Sequence, residues 1–337
     1  MKLLIVGSKS QWSIEGEYEK YLKDMCDVHF FNAHGLFLIH YHKSIKNKII
    51  YRLGLSNILK SLNRQLIDLC KQTSFDAIIV FKGMEIFPET LSILRERGIK
   101  LFNYNPDHPF VFFGKGSGNK NVLQGIPFYH HHFTYSRKIS SELIEKFKTS
   151  SSWLPFGYSQ AKVPGFMDKE IIRACFIGNA DKYRARMIKK LIDNNISVDV
   201  YGNNWNRFLS PNANLKFSKA IFANNFVNMA QKYRVQLNFF RPHNYDSHNM
   251  RTFEMPALGC IMLTPISNEQ KSFFEDLNEV FYFSKNNLID KCKGILSLGN
   301  EEAYRIKLNA YNRSINSNYC YKNRAIEMFR IIDSYCK

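Results

Sequence analysis

The chain has 337 residues, more than a single hydrophobic core usually organises, so two domains are the expectation. Apolar residues make up 45% of it and aromatics 15%, enough burial to offset the entropy of ordering, which excludes disorder as a general description. Lys and Arg number 47 against 29 Asp and Glu, and the formal charge of +18 points to an anionic partner: nucleic acid, an anionic membrane surface or a phosphorylated ligand.

The N-terminal "MKLLIVG" turns polar too soon for a signal peptide, and no window reaches the roughly 18 to 20 uncharged apolar residues of a membrane span. A cytoplasmic protein, working at the inner face of the cytoplasmic membrane, is expected. The seven cysteines have no CxxC spacing and read as reduced and structural.

In chain order, "KLLIVG" reads as a strand, "SIEGEYEKYLKDM" as a helix and "DVHFFNA" as a strand. From His40 to Lys71, Lys43, Lys46, Lys48, Arg52, Lys60 and Arg64 interleave with Ile45, Ile49, Ile50, Leu53, Leu59 and Leu62. Such a pattern suits a basic amphipathic helix pair on an anionic bilayer, or a solvated basic face over a core. "FDAIIVFKG", "FPETLSILRERG", "IKLFNYN", "YHHHFTYS" and "SELIEKF" continue the alternation. Apolar strands separated by helices imply a parallel sheet covered on both faces.

"SSSWLPFGYSQAKVPGF" reads as a linker, after which "RACFIGN", "KYRARMIKKLIDNN", "SVDVYGNNW", "VQLNFFR" and "CIMLTP" restart the pattern. Helical segments from about Asn286 to Lys337 close the chain. The fold class is therefore α/β, with two doubly wound Rossmann-like domains facing across a cleft. The expected domains are 1–153 and 154–320, with a terminal helix, 321–337, packing back on the N-terminal domain. Open α/β sheets place ligands at the carboxyl ends of their strands, so strand ends are where site residues are sought.

"DSHNMRTFEMPALGCIMLT" (246–264) joins a polar entry to an apolar run. Arg251 and Glu254 share a helix face near an N-terminus, whose N–H groups and partial positive charge suit a phosphate. Arg251 offers a fork for phosphate oxygens, and Glu254 can accept two hydrogen bonds from a vicinal diol. The alternative is a helix-capping Arg–Glu pair.

The pattern R-x-F-E-x-x-A-x-G before a short apolar strand resembles the nucleotide-sugar signature of GT-B glycosyltransferases, in particular the CgeB-like group. "WLPFG", "ACFIGNADKYRAR", "VDVYGNNW" and "YRVQLNFFRPHN" agree with that family in order and spacing, over about Leu154 to Thr264. The resemblance implies a nucleotide-sugar donor bound by the C-terminal domain, with Glu254 on the ribose. Asp246, eight residues earlier, stands where many retaining members carry Glu near the donor sugar. It also implies a basic residue from the loop after Gly178 at the pyrophosphate, chosen among Lys182, Arg184 and Arg186 as Arg184. Gly178, Ser247 and Asn249 join the donor-side candidates.

A general base for the acceptor is expected in "NYNPDHPF": Asp107, held between Pro106 and Pro109, with Ser8 and His108 as further acceptor-side candidates. The Asx-turn reading of Asp107 stands beside it. "YHHHFTYS" lacks a carboxylate or cysteine to complete a metal set, and "GKGSGNK" lacks the spacing of a phosphate loop. Neither a metal nor another cofactor is expected. The acceptor expected from the resemblance and the basic charge is a hydroxyl of a glycan or lipid-linked glycan in polysaccharide, lipopolysaccharide or capsule synthesis, with nucleic-acid binding and sugar-nucleotide epimerisation as rivals.

Overall fold

The computed structural model describes residues 1–11, 13–112, 116–166, 170–241 and 246–337. Gly114 and Lys115 of the "GKGSGNK" loop, and 242–245 of the loop before Asp246, lie outside the described residues. The chain divides into two compact units, Met1–Pro155 with Tyr321–Lys337, and Phe156–Cys320.

In the first unit six parallel strands run in the order β2-β1-β3-β4-β5-β6. They are β1 (Lys2–Val6), β2 (Asp27–Phe31), β3 (Ala77–Phe81), β4 (Lys100–Asn105), β5 (His131–Thr134) and β6 (Ser151–Trp153). The central strands β1 and β3 are apolar on both faces because both are covered. Leu4, Val6, Ile78, Val80 and Leu101 pack against Leu62 and Leu66 of α4 (Ile58–Gln72) and Leu91 and Leu94 of α5 (Pro88–Glu96). On the other face Tyr18 of α1 (Ile14–Leu22) lies 5.5 Å from the rings of both Phe81 and Tyr104 and 5.8 Å from Tyr321. Tyr321 opens the terminal helix, Tyr321–Cys336, which belongs to this unit and packs on α1.

Two helices sit between β2 and α4: α2 (Ala33–His42) and α3 (Ile45–Arg52). Further along are α6 (Lys120–Gly125) and α7 (Arg137–Phe147).

One expectation is corrected here. The Ser-rich stretch read as linker contains β6, which pairs with β5 through Ser151, Ser152 and Trp153. It is an edge strand whose serines are recruited by a buried histidine: His131 bonds Ser150 Oγ at 2.7 Å and Ser152 Oγ at 2.8 Å. His132 bonds the Ile126 carbonyl at 2.9 Å. The histidine run is therefore part of the sheet's polar satisfaction, and burial pushes both imidazoles down to about 4.

The second unit carries six parallel strands in the order β12-β11-β10-β7-β8-β9. These are β7 (Ile171–Ile177), β8 (Val198–Tyr201), β9 (Leu215–Ser218), β10 (Tyr233–Leu237), β11 (Met262–Pro265) and β12 (Phe281–Phe283). Its helices are α8 (Lys182–Ile192), α9 (Ala223–Ala230), α10 (Arg251–Ala257), α11 (Asn268–Phe273), α12 (Leu288–Leu296) and α13 (Asn300–Asn316). Ile188, Leu191 and Ile192 of α8 close one core with Val198, Val200, Val235 and Leu237. Strand order reverses between β7 and β10, and between β1 and β3 in the first unit, so each sheet has a switch point where adjacent loops diverge.

All seven cysteines are free thiols. No helix among the described residues is long and apolar enough to cross a membrane.

Candidate functional site

The switch point of the second sheet is built by the loops after β7 and β10. Gly178 follows β7 and its N–H donates to the Tyr201 carbonyl at 2.8 Å. Where β8 ends, Gly202 approaches this turn so closely that a Cβ on it would lie 2.1 Å from the Gly178 oxygen. Only glycine fits. Trp205 Nε1 donates to the same Gly178 carbonyl at 3.0 Å, and the Asn203 N–H donates to Asn179 Oδ1 at 2.9 Å. The turn after β7 is thus fixed from several sides.

That turn launches α8, capped by Asp181, whose Oδ1 accepts from the Arg184 N–H at 2.9 Å. The Arg184 side chain turns back over the strand ends. Its Nε donates to the Phe239 carbonyl at 3.3 Å and its Nη1 to the Asn179 carbonyl at 3.1 Å, with the guanidinium 5.4 Å from the Phe176 ring. The planar group bridges the loops after β7 and β10. Burial first, then the positive charges of Arg241 and Arg251, push its pKa down to about 10 against the opposing pull of Asp181. Arg184 therefore sits in a positive field that an anion would relieve.

Arg251 and Glu254 form an ion pair on α10, and the Arg251 guanidinium stacks 4.3 Å from the Phe226 ring of α9. Both side chains retain exposure, 31% and 16%. The sequence reading looked to α10 for free N-terminal N–H groups, and here the structure differs. The Thr252 N–H donates to the Asn249 carbonyl at 3.1 Å, and those of Phe253 and Glu254 donate to the Met250 carbonyl at 3.1 Å each. Donors for an anion at this place are the arginine side chains.

The polar residues between Asp246 and Glu254 divide into two kinds. Asp246 is exposed at the end of the loop. Ser247, His248, Asn249 and Thr252 instead hold the loop down. Ser247 Oγ donates to Glu269, His248 Nδ1 donates to the same carboxylate at 2.9 Å, and His248 Nε2 accepts the Phe156 N–H at 3.3 Å. Asn249 and Asn238 exchange amide hydrogen bonds of 2.8 and 3.1 Å. The Thr252 hydroxyl donates to Gln270 Oε1 at 2.9 Å, and Gln270 Nε2 donates to Thr264 Oγ1 and the Pro265 carbonyl, both at 2.8 Å. Buried polar groups so fully paired fix one conformation, which orients the exposed Arg251 and Glu254.

In the first unit, Asp107 follows β4 and pairs with Lys82, which follows β3. Its N–H donates to Asn105 Oδ1 at 3.0 Å, an Asx-type turn. His108 packs edge-on to Phe110 at 4.5 Å. Ser8, after β1, donates its N–H to Glu15 Oε1 at 3.1 Å and accepts the Ser13 hydroxyl on its carbonyl at 2.7 Å. Burial pushes the Glu15 carboxyl up.

Sequence reasoning missed a further pair here. His34, on the first turn of α2, donates from Nδ1 to Glu85 at 2.7 Å. Glu85 raises the imidazole pKa by hydrogen bond and charge, against its partial burial. Ser8, Glu15, His34, Lys82 and Glu85 all follow β1, β2 or β3, gathering titratable groups at this sheet's switch point. No local motif marks such a pair, because its members stand 51 residues apart. Among the described residues no group of three or more His, Cys, Asp or Glu is arranged to hold a metal ion.

Comparison with known structures fits this geometry. The structure of a glycosyltransferase from Rickettsia africae aligns over 100% of this chain and 98% of its own, with a TM-score of 0.67 at 13% identity. Anabaena HepE in complex with UDP-glucose aligns over 99% and 100%, with a TM-score of 0.67 at 10% identity. The chain has the GT-B fold. Within it, residues 184–330 match the family model described as glycosyl transferase-like, a span that begins at Arg184 and contains Arg251 and Glu254. The UDP-GlcNAc 2-epimerase from Neisseria meningitidis, bound to UDP-GlcNAc, shares the GT-B fold less closely, with a TM-score of 0.57 at 11% identity over 99% and 100% of the two chains. No curated protein sequence matches the chain.

Proposed function

We propose that the chain is a glycosyltransferase that moves a sugar from a nucleotide-sugar donor to a hydroxyl of a glycan or glycolipid in cell-surface polysaccharide synthesis. The observation that carries this reading is Arg184, held over the strand ends of the switch point by the Phe239 and Asn179 carbonyls, in a segment that matches a glycosyl transferase-like family and also contains Arg251 and Glu254. Breaking the glycosidic bond of such a donor builds negative charge on the departing diphosphate. Fixed cations stabilise that charge without reorganising. Arg184 is pre-oriented by two carbonyls, while Arg251 can exchange part of its pairing with Glu254 for phosphate oxygens.

In this reading Glu254 accepts from the ribose diol and Asp246 faces the donor sugar. Gly178 lets the donor approach the backbone, and Ser247 and Asn249 act through the loop they anchor. Asp107 takes the proton of the acceptor hydroxyl, with Lys82 positioning its carboxylate and with Ser8 and His108 nearby on the acceptor side. The CgeB-like character of the "RTFEMPALG" signature belongs to the same proposal. So does catalysis without metal, in which the arginines supply the charge. The basic first unit suits an anionic or membrane-anchored acceptor at the inner face of the cytoplasmic membrane.

Calorimetric titration of UDP, GDP, CMP and dTDP into the wild type and Glu254→Ala, at two salt concentrations, tests the donor reading. One nucleotide is expected to bind, and the variant to bind it at least about tenfold more weakly, the loss of a charge-assisted hydrogen bond. If none binds while a random oligonucleotide does, the charge serves nucleic acid instead. The epimerase neighbours supply a second reading: a sugar nucleotide whose sugar is inverted with no acceptor present would replace transfer by epimerisation.

A further inference from the structure

Between Asp27 and Asp68 the sequence contains no Asp or Glu, while Lys43, Lys46, Lys48, Arg52, Lys60 and Arg64 fall inside that interval. The structure folds most of it into α2, α3 and α4. Helix α4 buries Leu62, Leu66 and Cys70 against the sheet, as an amphipathic helix should. The other two helices do not follow that rule. Helix α2 buries only Ala33, and α3 buries no residue at all.

Phe37 packs towards the core, but several aliphatic side chains of α2, α3 and the turn after α3 stand in solvent. Ile39 is 70% exposed, Ile45 76%, Ile49 51%, Leu53 66% and Leu55 70%. Isolated exposed apolar residues are ordinary, but a run of large aliphatic ones along a hairpin is a surface awaiting a partner. The hairpin itself is well built. Phe37 stacks on Tyr41 at 5.6 Å and meets Tyr51 edge-on at 4.9 Å, joining α2 to α3, while Asn47 Nδ2 donates to the His40 carbonyl at 2.8 Å across the turn. Ser44 caps α3 by accepting the Asn47 N–H at 3.0 Å. Ile39, Ile45 and Ile49 are thus held outward on stapled helices, and Leu53 and Leu55 follow in the turn after α3.

We propose that the α2–α3 hairpin docks on an anionic lipid bilayer, with Ile39, Ile45, Ile49, Leu53 and Leu55 entering the headgroup boundary and Lys43, Lys46, Lys48 and Arg52 meeting the lipid phosphates. Charge complementarity decides for this occupant. A second copy of the chain would bring the same acid-free, basic surface against itself, and like charges facing one another oppose association. Nucleic acid would use the lysines but leave the aliphatic row without a role. A bilayer uses both at once, because its acyl boundary takes the aliphatics and its headgroups the cations. The inference rests on the transfer reading for its purpose, bringing the first unit to a lipid-linked acceptor, and on the surface alone for its evidence.

The test is flotation of the full chain with vesicles of phosphatidylcholine alone or with about one-third phosphatidylglycerol, at low and high salt. Two variants accompany the wild type: Ile39, Ile45, Ile49, Leu53 and Leu55 all changed to Ser, and Lys43, Lys46, Lys48 and Arg52 all changed to Gln. The wild type is expected to float with the anionic vesicles, to float at least about tenfold less with neutral ones, and to be released by salt. Each variant should lose that binding while keeping the far-UV circular dichroism and nucleotide affinity of the wild type, since every changed side chain lies outside the donor site. A wild type that stays at the bottom of the gradient with anionic vesicles overturns the proposal, whether or not it binds an oligonucleotide or self-associates. So do folded variants that float like the wild type. Should the wild type float but bind no nucleotide, docking stands and only the transfer reading falls.

Discussion

Gly202 illustrates how much a single residue can decide. Its missing Cβ allows β8 to end against the Gly178 carbonyl, and an added methyl would meet backbone that cannot swing away. Gly202→Ala should therefore cost about 2 kcal/mol or more in urea unfolding, within the range seen for overpacked sites. Gly294, inside α12, is the contrast, since a Cβ there meets nothing. Gly294→Ala should stabilise by roughly 0.5 to 1 kcal/mol through helix propensity alone. Equal effects from the two substitutions would refute the close approach as the reason for glycine at 202. Arg184 makes a similar point about charge. Lysine keeps the cation but cannot reach two carbonyls with a rigid fork, so Arg184→Lys should weaken nucleotide binding about tenfold in the same calorimetric assay. An unchanged affinity would mean that the group serves the loop and not the ligand.

At the scale of elements, the sequence was most readable where a local pattern sufficed. "FDAIIVFKG" contains β3 and "RACFIGN" all of β7 but its first two residues, because runs of apolar β-formers ending near Gly say so on their own. Helix α10 was readable despite Pro256, which sits late enough in it to leave the first turn intact. The short strands β6, β9 and β12 were not read as strands. "SSW", "LKFS" and "FYF" are too short to show a strand period, and their strand state comes from neighbours already in the sheet. The candidate site was half legible for the same reason. Arg251 and Glu254 announce themselves by spacing, but the groups that hold their loop, Glu269 and Gln270, come from α11 and are joined to it only by folding. That support is testable at Thr252. Valine there would deprive Gln270 Oε1 of its donor and the Asn249 N–H of its acceptor in a buried place. Thr252→Val should cost about 1 to 3 kcal/mol in urea unfolding despite its matching shape. A neutral result would mean that the network is not needed to fix the loop.

Across the whole molecule, histidine titration separates the two units by pH. In unit Met1–Pro155 with Tyr321–Lys337, burial lowers His131 and His132 to about 4, against an ordinary value of 6.5. Both are neutral in the fold, so the unfolded chain binds more protons between those values. Their contribution is whole above pH 6.5 and drains away as pH falls towards 4, on the order of 2 kcal/mol for each between pH 7 and pH 5. His34 runs the other way. Glu85 raises it, so its contribution is whole below the ordinary 6.5 and is lost as pH climbs through the raised value, which offsets part of the acid loss. Glu15, pushed up by burial, offsets a further part of the acid loss, while His130, pushed down by burial, adds to it. The two deeply buried histidines are expected to set the sign, a net acid destabilisation of this unit. Hydrogen exchange at pH 7 and pH 5, corrected for intrinsic rates, should show the amides of β4 and β5 losing protection, by the free energy of the histidine shift, while those of β7 and β10 change less. Uniform loss in both sheets would place the acid lability elsewhere. If neither sheet responds, His131 and His132 must already be accommodating a charge, and their hydrogen bonds to Ser150, Ser152 and Ile126 would need to be strong enough to hold an imidazolium in the core.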